Sequence, residues 1–595
     1  MRNVFISSLL ALTLISPSPA LAQETPVASI EVGTYRQEVQ SAYTRENGLP
    51  SNVVVDAAAT DDGLVYAATE AGVVFLQDGK WREVPNLGLA QALAADGNAL
   101  WAATSKGLFR VENGKSELSP AILPAGLNSL AAAGGTLLAG TGEGLYSLRE
   151  DSFGPVTALN EMLGNTPAVL DVAAGADGAI AVAALSGLYE KTASGWQQLY
   201  PRNEKYSWAP HDVRAAAYTE DGSLWFACPY GVGRRSNGSW SLYTGNEGLP
   251  YNDFTAMTTV NNTVWFGTKI GAIRYDGSHW AYRQGQRWLP ADPVNAIAVR
   301  QDGTAYIATD AGLSVIGFEP MTLAEKADFF EEEIDKYNRR TDLGYVIEAH
   351  LPAPGVKEGA TTHDSDNDGL WTAMYGAGEC FAYAATKDPE AKRRAEDAFE
   401  ALRFLTVVTR NSTPPALPGF VARTVLPVSE GNPNEEHYTV EKDQRSRQGD
   451  KLWKVLWPRW PLSKNQQWYF KADTSSDELD GHYFFYALYY DLVAETEEER
   501  SRVREIVAGL TDHLVEHDFK LIDWDNEPTR WAIYDPEEIN NNPWWHIERG
   551  LNSLSMLSYL RTAQHITGDA KYADAFHTLV EDHGYAQNAF YPKFQ

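Results

Sequence analysis

Residues 361–379, TTHDSDNDGLWTAMYGAGE, hold the densest set of groups able to do chemistry in this chain. His363 opens the run, and Asp364, Asp366 and Asp368 alternate ahead of Gly369. The spacing D-x-D-x-D-G matches the start of a calcium loop, which supplies a hard cation with carboxylate oxygens. An EF-hand would carry a bidentate Glu at its twelfth position, where this chain has Tyr375, so Ca2+ here would need a carboxylate from elsewhere. Two other uses compete with the ion. Asp368 can cap the helix that follows, with its acidic neighbours favoured by the helix dipole. Alternatively His363, Asp366 or Asp368 acts directly on a substrate or binds a sugar hydroxyl.

A second acidic run, DTSSDELDGH over 473–482, precedes an aromatic helical segment and again sets acids beside a histidine, His482. A carboxylic acid and a carboxylate facing one sugar protonate the leaving oxygen and activate water or attack the anomeric carbon. The expected pair is Asp368 with Asp477 or Glu478, flanked by His363 and His482. Acids in a first helical turn also arise from capping alone. The expected sugar-binding groups are Trp371, Tyr375, Arg423, Arg530, Trp531, Trp545, His546 and Asn552. Aromatic faces stack on sugar rings, and Arg clamps a carboxylate or sulfate. Asp523–Trp524–Asp525 lies in the same turn region as Arg530.

The elements that must position these groups are helical. Apolar spacing predicts a leading helix over 323–337 and three helix pairs: 370–385 with 389–408, 479–494 with 497–517, and 547–567 with 570–582. Between them, 410–470 is rich in Pro and Trp and has no clear period, which marks a functional loop. Paired helices with acids at the start of each first helix suggest an α/α toroid over 322–595. GLWTAMYGAGECFAYAATKD, from Gly369, resembles the inner helices of the six-hairpin glycosidase-like superfamily. That resemblance implies a cleft at one end of the helix ring. Three hairpins and a leading helix make about half of a closed ring, so either the toroid is incomplete or a C-terminal part is lacking.

The first half is a repeat. Val65–Thr69 with Gly72, Leu100–Thr104 with Gly107, and Leu137–Thr141 with Gly144 share one pattern, and later copies centre on Gly187, Gly231, Gly271 and Gly312. Seven copies at a spacing of about 35–45 residues predict a seven-bladed β-propeller over 35–320. YRQEVQSAYTRENGLP, from Tyr35, is similar to the end of the fifth copy, so the N-terminal strand is expected to complete the last blade and remove its edge. GLPSN at Gly48 and GLPYND at Gly248 resemble the repeats of two-component-regulator propellers.

A chain of 595 residues exceeds one ordinary core, and its net charge of −30 argues against nucleic acid as a partner. Residues 1–22 read as a signal peptide, and no later segment is apolar enough for a membrane span. The expectation is an exported protein, periplasmic or extracellular, with no membrane partner. Two cysteines, Cys228 and Cys380, fall in different domains and are expected to be buried thiols. The leading functional expectation is a glycoside hydrolase acting on a polysaccharide or oligosaccharide. A polysaccharide lyase is the alternative, drawing on His363, His482, His546, Asn367, Asn552, Arg423 and Tyr375. A non-catalytic glycan-binding or sensing protein is the third. No G-x-S-x-G elbow or H-E-x-x-H motif occurs.

Overall fold

The computed structural model describes residues 33–591 apart from 134, 176–177, 414, 437 and 451–452. The signal peptide expected over 1–22 lies outside the described residues. Two compact units are present, one of Thr34–Leu323 with Ala353–Gly355, the other of Ala324–Pro352 with Val356–Gln595. Among the described residues no helix is long and apolar enough to cross a membrane.

The first unit is a seven-bladed β-propeller. Seven four-stranded antiparallel sheets follow one another, and the last consists of Val294–Val299, Ala305–Thr309, Gly312–Met321 and the N-terminal strand Tyr35–Tyr43. Tyr35 pairs with Met321 and Tyr43 with Leu313, so the first strand of the chain closes the ring as expected. Five of the turns between the second and third strands share one device. Thr69, Thr104, Thr141, Thr268 and Thr309 each donate their Oγ1–H to the carbonyl of the Gly three residues on, at 2.7–3.0 Å. Ala184 and Cys228 stand at the corresponding places in the other two blades. The recurring Thr therefore reflects turn chemistry: it satisfies a backbone acceptor where the ladder ends.

Neighbouring blades are joined at a bulge near the start of the inner strand. Asp56 accepts from Leu93 N at 2.7 Å and Asp171 from Ala216 N at 3.1 Å. Asn128 donates to Val169 O at 2.9 Å, Thr255 to Val294 O at 2.6 Å, and Asn295 to Val54 O at 2.9 Å. A bulge turns one side chain sideways out of the strand's alternation, which lets it reach the next blade.

The second unit is helical. Its main helices are α1 (Leu323–Tyr337), α2 (Asp368–Thr386), α3 (Pro389–Val407), α4 (Ser476–Leu492), α5 (Glu497–Glu516), α6 (Arg549–Thr567) and α7 (Ala570–Glu581). Helices α2–α3, α4–α5 and α6–α7 are the three anticipated hairpins. Small residues let α2 and α4 approach closely: a Cβ at Gly481 would lie 3.0 Å from the Leu370 Cα, and one at Gly376 2.6 Å from the Phe485 ring. One apolar core runs from Ala373, Phe399 and Leu402 through Tyr483 and Phe485 to Val507, Met556 and Leu560. The stretch expected to be an irregular loop contains a helix, Val440–Gly449, and a strand pair, Val425–Pro427 with Trp468–Phe470. Its period is invisible in sequence because that helix has one apolar side chain, Val440, and the residue it buries is a carboxylate, Asp443. Cys228 and Cys380 are buried and unpaired.

The tightest turn in the propeller offers a test. Gly231 has φ +140°, and a Cβ there would sit 2.2 Å from the Tyr243 carbonyl oxygen, whereas Gly238, with φ +77°, faces open space. Urea denaturation should show Gly231→Ala losing about 1–3 kcal/mol, and Gly238→Ala losing less.

Candidate functional site

Asp368 stands at the N-terminus of α2 and is fully buried. Its Oδ2 meets Arg340 Nη2 at 2.6 Å and accepts from the Thr424 hydroxyl, while Oδ1 accepts from Ser365 N at 3.0 Å and Ser365 Oγ at 2.7 Å. The same guanidinium donates to Thr424 Oγ1 and Val425 O, both at 2.6 Å. Every acceptor site on Asp368 is thus used inside the protein. The residue is a clamp between the segment before α2 and residues Thr424 and Val425, where the strand Val425–Pro427 begins, rather than a group facing substrate.

Glu478 and His482 lie one turn apart on α4 and are also fully buried, with Oε2 and Nε2 3.8 Å apart. Burial pushes the Glu478 carboxyl well above its usual range and the His482 imidazole down to about 3, in each case favouring the uncharged form. His482 Nδ1 pairs with the Tyr486 hydroxyl at 3.0 Å. Asp477 is exposed one position earlier. The expected pairing of Asp368 with Asp477 or Glu478 therefore does not form a cleft: two members are sealed in the helix interface and the third faces solvent. The alternation of acids at a helix start could not reveal which turn faced inward.

The expected calcium ligands part company as well. Asp364 accepts from Tyr438 OH at 3.3 Å, Asp366 pairs with Lys471, and Asp368 is held by Arg340. Among the described residues the only metal-competent group of three side chains is Glu348, His350 and His363. His363 has left the aspartates to lie edge-to-face against His350, with ring centroids 4.1 Å apart.

Of the expected sugar-binding residues, Arg423, Arg530 and Trp531 come together, with Asp366, at a pocket of about 230 Å³. The remaining lining is Trp453, Lys454, Arg459, Asp473, Thr474, Asp523 and Thr529. The other candidates lie elsewhere. Trp371 is exposed on α2, and Tyr375 is bound between Arg339 Nη2 at 2.9 Å and Glu331 at 2.8 Å. Trp545 packs on the helical core, His546 is exposed, and Asn552 is buried, donating to Ile533 O at 3.0 Å.

The pocket is built of charges held from behind. Arg459 is gripped by buried Asp443, at 2.7 Å from Nη2, and presents Nη1 to Asp473 Oδ1 at 3.0 Å. Arg423 reaches Asn367 Oδ1 at 3.0 Å and lies 3.7 Å from Asp473 Oδ2. Lys454 bridges Asp523 at 3.0 Å and Asp525 at 2.7 Å. Arg530 lies over the Trp531 ring at 4.1 Å and binds Asp450 at 2.5 Å. Asp523, on the turn between Lys520–Ile522 and Pro528–Ile533, accepts from Thr474 N at 3.1 Å, which ties it to the residue next to Asp473.

These surroundings drive two carboxyls apart. Burial pushes Asp523 up to about 7, helped by the charge of Asp473 and opposed by Lys454. Burial also acts to raise Asp473, but Lys471, Arg459 and Arg423 outweigh it and hold that carboxyl below its usual range. One acid kept protonated near neutrality beside one kept ionised is the division of labour that acid–base chemistry requires. Neither residue stands out in sequence: Asp473 opens the second acidic run and Asp523 sits between Ile522 and Trp524. Of the cations that differentiate them, Lys471 is a chain neighbour of Asp473, while Arg423, Lys454 and Arg459 are collected only by folding.

Comparisons with known proteins bear on the propeller. Residues 20–243, less than half of the chain, match a family described as Beta-prop_HVO_0234-like, beta propeller. No curated protein matches. Among solved structures, the extracellular domain of a one-component system from B. thetaiotaomicron is similar at 17% identity, covering 46% of this chain and 39% of that one, with a TM-score of 0.39. The extracellular domain of a hybrid two-component system from the same organism is similar at 14% identity, covering 55% of this chain and 45% of that one, at 0.38. Virginiamycin B lyase from Staphylococcus aureus is similar at 15% identity, covering 48% of this chain and 99% of that one, at 0.35. The chain spans about two-fifths of the length of the first of these extracellular domains. These likenesses concern fold alone.

Two outcomes check the buried carboxyls. Asp368→Asn should cost about 3–5 kcal/mol in denaturant unfolding, because it strands the Arg340 guanidinium. Glu478 has a folded-state value above its unfolded one, so the wild type loses stability as pH rises above the unfolded value. Glu478→Gln should therefore melt higher than wild type at pH 7, with the gap closing toward pH 4.

Proposed function

We propose that this protein is an exported glycoside hydrolase acting on a polysaccharide or oligosaccharide at the 423–531 pocket of its helical unit. The carrying observation is the pair Asp473 and Asp523 around one small cavity, the first held ionised and the second pushed up to about 7. In this reading protonated Asp523 gives its proton to the leaving glycosidic oxygen. Ionised Asp473 stabilises positive charge developing at the anomeric carbon, and water then adds to that carbon, returning a proton to the Asp523 carboxylate. Trp453 and Trp531 supply faces for a sugar ring, and Arg423, Arg459, Lys454 and Arg530 favour a sugar bearing a carboxylate or sulfate. The export assignment rests on the leader-like residues 1–22.

A β-eliminating lyase shares the preference for an acidic sugar but needs a His or Tyr base beside it. Among the described residues none lines this pocket, and that weighs toward hydrolysis.

The test is incubation with neutral and uronic polysaccharides, following reducing ends and ultraviolet absorbance together. New reducing ends without absorbance are expected, and Asp523→Asn should lower kcat roughly 10²–10⁴-fold. The rate should fall as pH rises through about 7, where Asp523 loses its proton, and fall again in acid below the usual carboxylate range as Asp473 gains one. Rising absorbance would mark the lyase instead. Tight glycan binding without product would mark a binding or sensing protein.

A further inference from the structure

Strands Ala349–His350 and Thr361–Thr362 form a short antiparallel ribbon in which Ala349 faces Thr362 and His350 faces Thr361. Carrying that register one residue further sets Glu348 opposite His363. Side chains alternate faces along a strand, so Glu348 and His350 share a face and His363 joins them from across the ribbon. The side chains meet this expectation: one ligand atom from each lies within 4.8 Å of the others, and the two imidazoles stand at 80° to one another. All three residues are exposed. Among the described residues none of the three has a hydrogen-bond or ion-pair partner that would explain the convergence.

We propose that Glu348, His350 and His363 form a binding site for a zinc-class divalent transition metal. Two imidazole nitrogens and one carboxylate oxygen suit Zn2+, Co2+ or Ni2+. They do not suit Ca2+, which takes six to eight oxygens. Three protein ligands leave a coordination position for water, since Zn2+ is four-coordinate in most sites. The ion ties together the two ends of the 348–363 segment, and residue 363 leads directly into the stretch bearing Asp364 and Asp366. Metal binding therefore anchors the chain just ahead of the Arg340–Asp368 clamp. The site is separate from the Asp473–Asp523 pocket, and its test does not depend on any activity.

The full-length mature chain, stripped with chelator, is titrated with Zn2+ by calorimetry and with Co2+ by visible absorption. One tightly bound ion per chain is expected, with the intense d–d bands of low-coordinate Co2+, a rise in Tm on adding Zn2+, and no competition from Ca2+. His350→Ala and His363→Ala should each weaken Zn2+ binding by more than the roughly 10–100-fold that loss of an outer partner costs. Because the positions are exposed, both variants should melt with the metal-free wild type, which separates lost ligation from lost folding. Thr361→Ala, on the same ribbon, should bind as wild type does. Zn2+ uptake that survives both histidine substitutions, or a wild type that takes up no stoichiometric Zn2+ at micromolar concentration, would overturn the assignment.

Discussion

The buried contact between Arg340 and Asp368 is the constraint on which the helical unit's pocket depends. One guanidinium nitrogen touches a carboxylate, a hydroxyl and a backbone carbonyl from two distant segments, so it fixes the start of α2 against residues 424–425. Arg423 is thereby held one residue from the clamp, and it donates in turn to the Asp366 carbonyl and the Asn367 side chain. A buried ion pair adds little net stability once desolvation is counted, but losing one partner is costly because the other charge is left uncompensated. Such a pair acts chiefly as a register pin. Here it aligns the Asp366 and Arg423 sides of the pocket.

Behind the pocket a further rank of charges does similar work. Asp443 grips Arg459 from the far side, so that only one edge of the guanidinium is presented to Asp473. Lys454 is surrounded by two carboxylates and two carbonyls, which holds its charge against Asp523. The net result is a difference between two chemically identical side chains. Burial acts on both, but Asp473 sits among Lys471, Arg459 and Arg423 and stays ionised, while Asp523 is opposed by Lys454 and keeps its proton to about pH 7. Burial and neighbouring charge are separable causes of that difference.

The propeller shows the opposite economy, in which local chemistry repeated seven times makes a global object. Each blade carries its own turn and ladder, and bulge-borne Asp, Asn or Thr side chains reach the next blade at five junctions. Ring closure comes from pairing the first strand with the last, which leaves no free sheet edge there. The two cysteines follow the same packing logic: Cys228 occupies a place that five blades give to Thr and one to Ala184, and Cys380 lies in the helical core.

The periodicities that depend on near neighbours were legible in the sequence. The turn Gly, preceded three residues earlier by Thr in five of the seven blades, recurs at blade spacing, so seven blades and their closure by Tyr35–Tyr43 could be read directly, and so could three helical hairpins. The 410–470 segment hid its polar helix, Val440–Gly449, because that helix buries a carboxylate for Arg459 instead of an apolar stripe. The functional groups were legible only in kind. Acidic runs at 364–368 and 473–482 did mark the region of the pocket, yet Asp368 and Glu478 turned inward and Asp473 was the member that faced the cavity. Sequence alone determined which residues could be ionised. Tertiary structure decided which of them are, because a carboxyl's proton affinity depends on burial and on the cations beside it: Lys471 is near Asp473 in the chain, but Arg459 and Arg423 reach it only through the fold.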